Sequence, residues 1–164
     1  MRRMILSVLA VAVSAGVWAT PVAAQWAEEE EAKAGAMEVI TGLFDAMRAA
    51  DSAAVRAAFH PEATVGSAFA NGEGVANVRY GEIESFVQGV GGAAPGDWDE
   101  QVGETELRAY DNLVTAANRY VFHFKGEASH CGVNTFQVGK LGDEWKILGI
   151  VDTRRRQGCE GWLE

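Results

Sequence analysis

Few side chains in this sequence can do chemistry at neutral pH, so each can be weighed singly. Asp152 follows the apolar run Leu148 to Val151. In an apolar cavity its pKa would rise by desolvation and it could act as a general base. Its plainer role is a strand-end residue pairing with Arg154 or Arg156. The three histidines are His60, His123 and His130. His123 and His130 come out opposite each other across a turn, a spacing that could bind a metal if a carboxylate joined them. As a partly exposed aromatic pair they need no metal, and no metal site or cofactor is expected. His60 stands before Pro61 and reads as a helix-end residue. The run Arg154-Arg155-Arg156 invites an anion, or neutralises nearby carboxylates. Cys131 and Cys159 are an even pair with no CxxC spacing and no histidine set around them, so they read as a disulfide. Closing that loop would stabilise the fold by roughly 3.5 kcal/mol.

Charge and compartment narrow the partners. The formal net charge is −9 over 164 residues, and it becomes −11 without the first 24, which carry Arg2 and Arg3 and no acidic group. An acidic surface repels phosphate backbones and anionic lipid, so neither nucleic acid nor a membrane is an expected partner. Arg2 and Arg3, the apolar Met4 to Trp18 and the small residues Val22-Ala23-Ala24 have the layout of a secretory signal peptide, with the cut before Gln25. The expected organisation is a leader over residues 1–24 and one domain over 25–164, periplasmic or secreted.

The elements that must position these residues follow from periodicity. Met37, Ile40, Leu43, Phe44 and Met47 recur at helical spacing and predict a helix from about Glu28 to Ala50. Asp51 can cap a second helix carrying Val55, Ala58 and Phe59, which His60-Pro61 would end. Thr64 to Phe69 and Gly74 to Tyr80 flank an Asn-Gly, a hairpin signal. Ile83, Phe86, Val87 and Val90 predict a third helix stopped by Gly91-Gly92. From Asp99 onward, turn signals at Asp111-Asn112, Gly126-Glu127 and Gly142-Asp143 divide a four-stranded meander. The fold class is α+β, with three helices ahead of a curved antiparallel sheet and packed on one of its faces.

Tight turns fix register, and register fixes which side chains share a face. Pairing Tyr110 with Leu113, Lys125 with Ala128 and Leu141 with Glu144 puts Asn118, Tyr120, Phe122, Thr135, Gln137, Ile150 and Asp152 on the more apolar face, toward the helices. The other face receives Glu104, Arg119, Val121, His123, His130, Asn134, Phe136 and Val151. Polar groups converging on an apolar interior make a small-molecule pocket. Asn118, Tyr120, Phe122, Thr135 and Asp152 are therefore the candidate ligand-binding residues, with Asp152 the candidate catalytic group. Alternatively, Tyr120 and Thr135 satisfy each other or the backbone. A single β-bulge would exchange the faces beyond it. Val121, Phe136 and Val151 on the uncovered face would support a homodimer, with Glu104 facing Arg119 beside them.

The order of elements, the run FHPEATV from Phe59 to Val65 and the run HCGVNTFQVGKLGDEWKILGIVDTRRR from His130 to Arg156 resemble the nuclear-transport-factor-two-like superfamily, and within it the lumazine-binding-like branch. The resemblance implies a cone-like, cystatin-like roll enclosing one apolar cavity, often dimeric through the open sheet. It implies no particular activity. The expected function is an exported domain binding a small apolar or heteroaromatic molecule. The alternatives are an isomerase, dehydratase or cyclase using an interior Asp or His, and a dimeric interaction module.

Overall fold

The computed structural model describes residues 22–164; the expected leader lies outside the described residues except for its last three, which begin the first helix. Among the described residues no helix is long and apolar enough to cross a membrane. Helix α1 (Val22–Ala49) buries Ala32, Ala36, Ile40, Leu43, Phe44 and Met47, a stripe at helical spacing. Ala50, at φ 56°, ends it: Asp51 N–H reaches the Ala46 carbonyl at 2.9 Å and Ala50 N–H the Met47 carbonyl at 3.1 Å, the two bonds of a Schellman stop. The Asp51 carboxylate then accepts from Ala54 N–H at 2.9 Å and starts α2 (Ser52–Ala58), as the sequence suggested.

Strand β1 (Phe59–Ala70) begins directly after α2 and includes Pro61; its register slips between Phe59 and Thr64, where proline offers no N–H to the ladder. Asn71 organises the following loop by accepting from the N–H groups of Glu73 and Val75 at 3.0 and 2.9 Å. Strand β2 (Ala76–Gly81) is exposed throughout, and α3 (Ile83–Gly91) buries Ile83 and Val90. The meander follows as β3 (Trp98–Tyr110), β4 (Leu113–Phe124), β5 (Glu127–Leu141) and β6 (Glu144–Arg154). The six strands form one open sheet in the order β2-β1-β6-β5-β4-β3. It is mixed and not antiparallel throughout, because β1 pairs with β6 in parallel. That pairing joins the hairpin to the meander and extends the concave face on which all three helices pack.

Helix α1 lies diagonally over this face, in contact with β3, β4 and β6. Phe44 meets Phe136 edge to face at 6.1 Å, and Gly35 leaves room for the Trp145 ring, which a Cβ there would strike. Phe59, Phe86, Trp98 and Phe122 form a chain of rings with centroids 5.5 to 6.0 Å apart under α3.

The convex face is partly covered by the C-terminal segment. The Cys131–Cys159 disulfide, with Cα atoms 5.6 Å apart, ties that segment to β5. The Trp162 indole donates to the Gly132 carbonyl at 2.7 Å, and the Arg119 and Arg155 guanidinium groups lie over the Trp162 ring at 5.0 and 3.7 Å. The apolar patch expected for a dimer is altered accordingly. Phe136 is buried against α1 on the concave face and Val121 is also buried, leaving only Val151 half-exposed.

Candidate functional site

Three register shifts decide which side chains meet beneath α1. In β3 the shift falls between Val102 and Thr105, so Glu100, opposite Phe122, turns to the concave face. In β5 an extra residue, Ser129, lies between the pairs His123↔Ala128 and Phe122↔His130. Beyond it Asn134 and Phe136 point inward, where the simple register had Thr135 and Gln137. In β6 the extra residue is Leu148, between the pairs Val138↔Ile147 and Gln137↔Gly149. This second exchange undoes the first, and Asp152 returns to the concave face.

The result is a polar row crossing an otherwise apolar surface. Arg79 on β2, Ser67 on β1, Asp152 on β6, Asn134 on β5, Asn118 on β4 and Thr105 on β3 are successive register partners across all six strands. Paired residues in a sheet project to the same side. Asn118, Asn134 and Asp152 are each buried to nine-tenths or more. The Asn118 amide donates to Thr105 Oγ1 at 3.2 Å, while the Asn134 amide donates to Asn118 Oδ1 at 3.2 Å and to Glu100 Oε1 at 2.7 Å.

Asp152 is the most heavily used acceptor in the cluster. Its Oδ2 receives the Tyr120 hydroxyl at 2.8 Å and two N–H groups of Arg154, at 3.2 Å from Nε and 3.0 Å from Nη2. Its Oδ1 is buried and accepts no hydrogen bond among the described residues. Burial, followed by the negative charge of Asp152, raises the pKa of the Tyr120 phenol, so Tyr120 remains a proton donor. Burial also raises Glu100, to about 7; the Asn134 hydrogen bond opposes the rise, Asp152 reinforces it and Arg154 lowers it. His130, beside Tyr120 and Phe122 with ring centroids 5.7 and 5.0 Å away, is pushed down to about 4 by burial and by Arg154.

A pocket of about 320 Å³ opens along this row between α1, α3 and the sheet. Leu43, Phe44, Met47, Phe86, Phe136 and Ile150 give it an apolar lining, and Glu100, Asn134 and Asp152 give it a polar wall. Larger depressions, of about 390, 470, 510 and 680 Å³, lie elsewhere, among them one beside the acidic start of α1 and one under the C-terminal segment. The site is placed in the smaller one because the buried polar row ends there.

Of the residues expected to bind a ligand, Asp152 lines this pocket. Tyr120 stands behind it and acts through its carboxylate, Asn118 backs Asn134, and Phe122 belongs to the ring chain beside Trp98. Thr135 is the correction: it is exposed on the convex face and donates to the Val151 carbonyl at 2.7 Å, because the Ser129 bulge reversed β5. His123 and His130 are not opposite each other either. The same bulge sets them on different faces, and no cluster of metal-ligating side chains exists among the described residues. Glu100 and Asn134 escaped the sequence reading. The only signal for Glu100 was Gly103, an isolated glycine in a strand, which marks a bulge.

No protein-family model matches the chain, and no curated protein does. Solved structures match well. An NTF2-like protein with a cystatin-like fold from Novosphingobium aromaticivorans superposes with a TM-score of 0.63 at 12% identity, over 87% of this chain and 95% of its own. A protein of unknown function with a cystatin-like fold from Nostoc punctiforme gives 0.58 at 12% identity, over 78% and 94%. An NTF2-like protein of unknown function from Shewanella baltica gives 0.54 at 14%, over 84% and 98%. At these identities the likeness is one of architecture, and the three helices on an open, curved sheet give this chain the cystatin-like fold of the NTF2-like proteins.

Proposed function

We propose that this is an exported domain that binds one small organic molecule in the pocket beneath α1. The observation that carries the reading is Asp152, a carboxylate lining the pocket whose Oδ1 is buried and has no hydrogen-bond donor among the described residues. Leaving such an acceptor unsatisfied costs about 1–3 kcal/mol, which a ligand bearing an N–H or O–H would recover. The apolar lining supplies the rest of the affinity, and rings such as Phe44, Phe86 and Phe136 favour a flat occupant. The resemblance of the His130 to Arg156 run to lumazine-binding-like proteins supports a heteroaromatic one. Export is supported by the layout of the first 24 residues and by the Cys131–Cys159 bridge.

Glu100 favours a second reading. A carboxyl with a pKa of about 7, in the same wall as a carboxylate held by Arg154 and Tyr120, can take up and return a proton at neutral pH, as an isomerase, dehydratase or cyclase requires.

Titrating the protein with a fragment library while following the Ile150 methyl and Asn134 side-chain amide by NMR tests the proposal. Ligands of this site move both signals. A library that moves neither overturns the binding function. Glu100→Gln then separates the two readings: a binder keeps affinity within a few-fold, whereas an enzyme loses most of its turnover.

A further inference from the structure

The mouth of the pocket carries charge opposite to its wall. Arg79 on β2 and Arg154 on β6 both line it, and both are exposed. Phe69 on β1 brings them together: it is the register partner of Arg154, and the Arg79 guanidinium carbon lies 5.3 Å from the centre of its ring. Arg154 spends Nε and Nη2 on Asp152. The Arg79 side chain makes no ion pair and no hydrogen bond among the described residues, and its guanidinium rests only on the face of Phe69. That guanidinium is therefore free to take an anion at the mouth of the pocket. The guanidinium fork suits a carboxylate.

Resting on the reading of this pocket as a ligand site, we propose that its occupant is a small aromatic organic acid. Its carboxylate meets Arg79 and the outer edge of Arg154 at the mouth. Its ring lies on Phe44, Phe136 and Ile150, and a hydroxyl or N–H at the far end donates to the Asp152–Glu100 wall. Each part of the site excludes a simpler molecule. A plain amine satisfies the wall but leaves the two arginines at the mouth without an anion. A plain acid satisfies the arginines but leaves Asp152 Oδ1 buried and unpaired. Size agrees as well: 320 Å³ is the share of about ten waters, so about ten non-hydrogen atoms fit, enough for one ring with a short substituent at each end.

Calorimetry of the purified protein with three probes of one shape tests this: 4-hydroxyphenylacetate, which has both ends; phenylacetate, which lacks the donor; and tyramine, which replaces the acid by an amine. The first should bind at least about tenfold more tightly than either of the others. Arg79→Gln, on an exposed edge strand and checked for folding by circular dichroism, should weaken both acids by about fivefold and leave tyramine unchanged. Equal affinity for all three probes, tightest binding of tyramine, or indifference of the acids to Arg79→Gln overturns the assignment. If none of the three binds while other fragments move the Ile150 methyl, the ligand class is wrong and the pocket remains a binding site. If no fragment moves it, both fall.

Discussion

Glu100 is the residue whose behaviour most directly tests the architecture of the site. Replacing it with Gln removes the charge but keeps a carbonyl that can accept from the Asn134 amide, as Glu100 Oε1 does at 2.7 Å. The native carboxyl is raised from 4.5 to about 7, mainly by burial, with Asp152 adding to the rise and Asn134 and Arg154 opposing it. A raised carboxyl pKa means that the folded protein holds the proton more tightly than the unfolded chain does. The contribution to stability is therefore fully present below about 4.5 and is lost as pH rises through about 7. A shift of that size corresponds to about 3 kcal/mol, a ceiling because the side chain keeps partial exposure.

Urea unfolding of wild type and Glu100→Gln at a series of pH values reads this directly. At pH 4 both side chains are neutral and the two proteins should unfold at similar urea concentrations. By pH 8 the variant should be the more stable by up to about 3 kcal/mol. A gap that is the same at both ends, or a wild type that gains on the variant between pH 5 and pH 7.5, would refute the placement of Glu100 inside the site.

The other perturbations probe the supports of the site. Tyr120→Phe deletes a buried donor to Asp152 Oδ2, but the two Arg154 bonds to that oxygen remain, so urea unfolding should show a loss near the low end of the charged range, about 1.5 kcal/mol; a loss below about 0.5 kcal/mol would mean that the phenol does not hold the carboxylate. Replacing Cys131 and Cys159 together by Ser opens a 28-residue loop and should cost roughly 3.5 kcal/mol. Trp162 should also lose its shielding, seen as a red shift in fluorescence; unchanged fluorescence would deny that the bridge holds the C-terminal segment on the sheet. The His130 ring, followed by NMR, should titrate near about 4 and not near 6.5. Because that pKa is depressed, its contribution to stability is present above about 6.5 and is lost as pH falls through about 4. A midpoint above 6 would place the ring in solvent.

What the sequence disclosed, and what it withheld, follows from how each feature is encoded. Helices α1 to α3 were legible because each buries a stripe that repeats at helical period, and α2 because Asp51 caps it. The turns at Asp111 and Gly142 set the pairs Tyr110↔Leu113 and Leu141↔Glu144 as expected. The parallel union of β1 with β6 could not be read, since pairing between distant segments leaves no local mark. The site depends on something finer still. A strand has a period of two, so one extra residue reverses every side chain beyond it. Ser129 did this to β5, concealing Asn134 and Phe136 and misplacing Thr135, and the slip at Gly103 and Glu104 concealed Glu100. Asp152 came out on the correct face because Leu148 restored what Ser129 had reversed. The slips beside Gly103 and Gly149 each had a glycine to announce them, while that at Ser129 had none. A face assignment carried across several strands is therefore only as sound as the least conspicuous bulge it crosses. The polar row from Arg79 to Thr105 exists because the irregularities at Ser129 and Leu148 bring Asn134 and Asp152 into line with Asn118, and the slip at Gly103 and Glu104 sets Glu100 beside it.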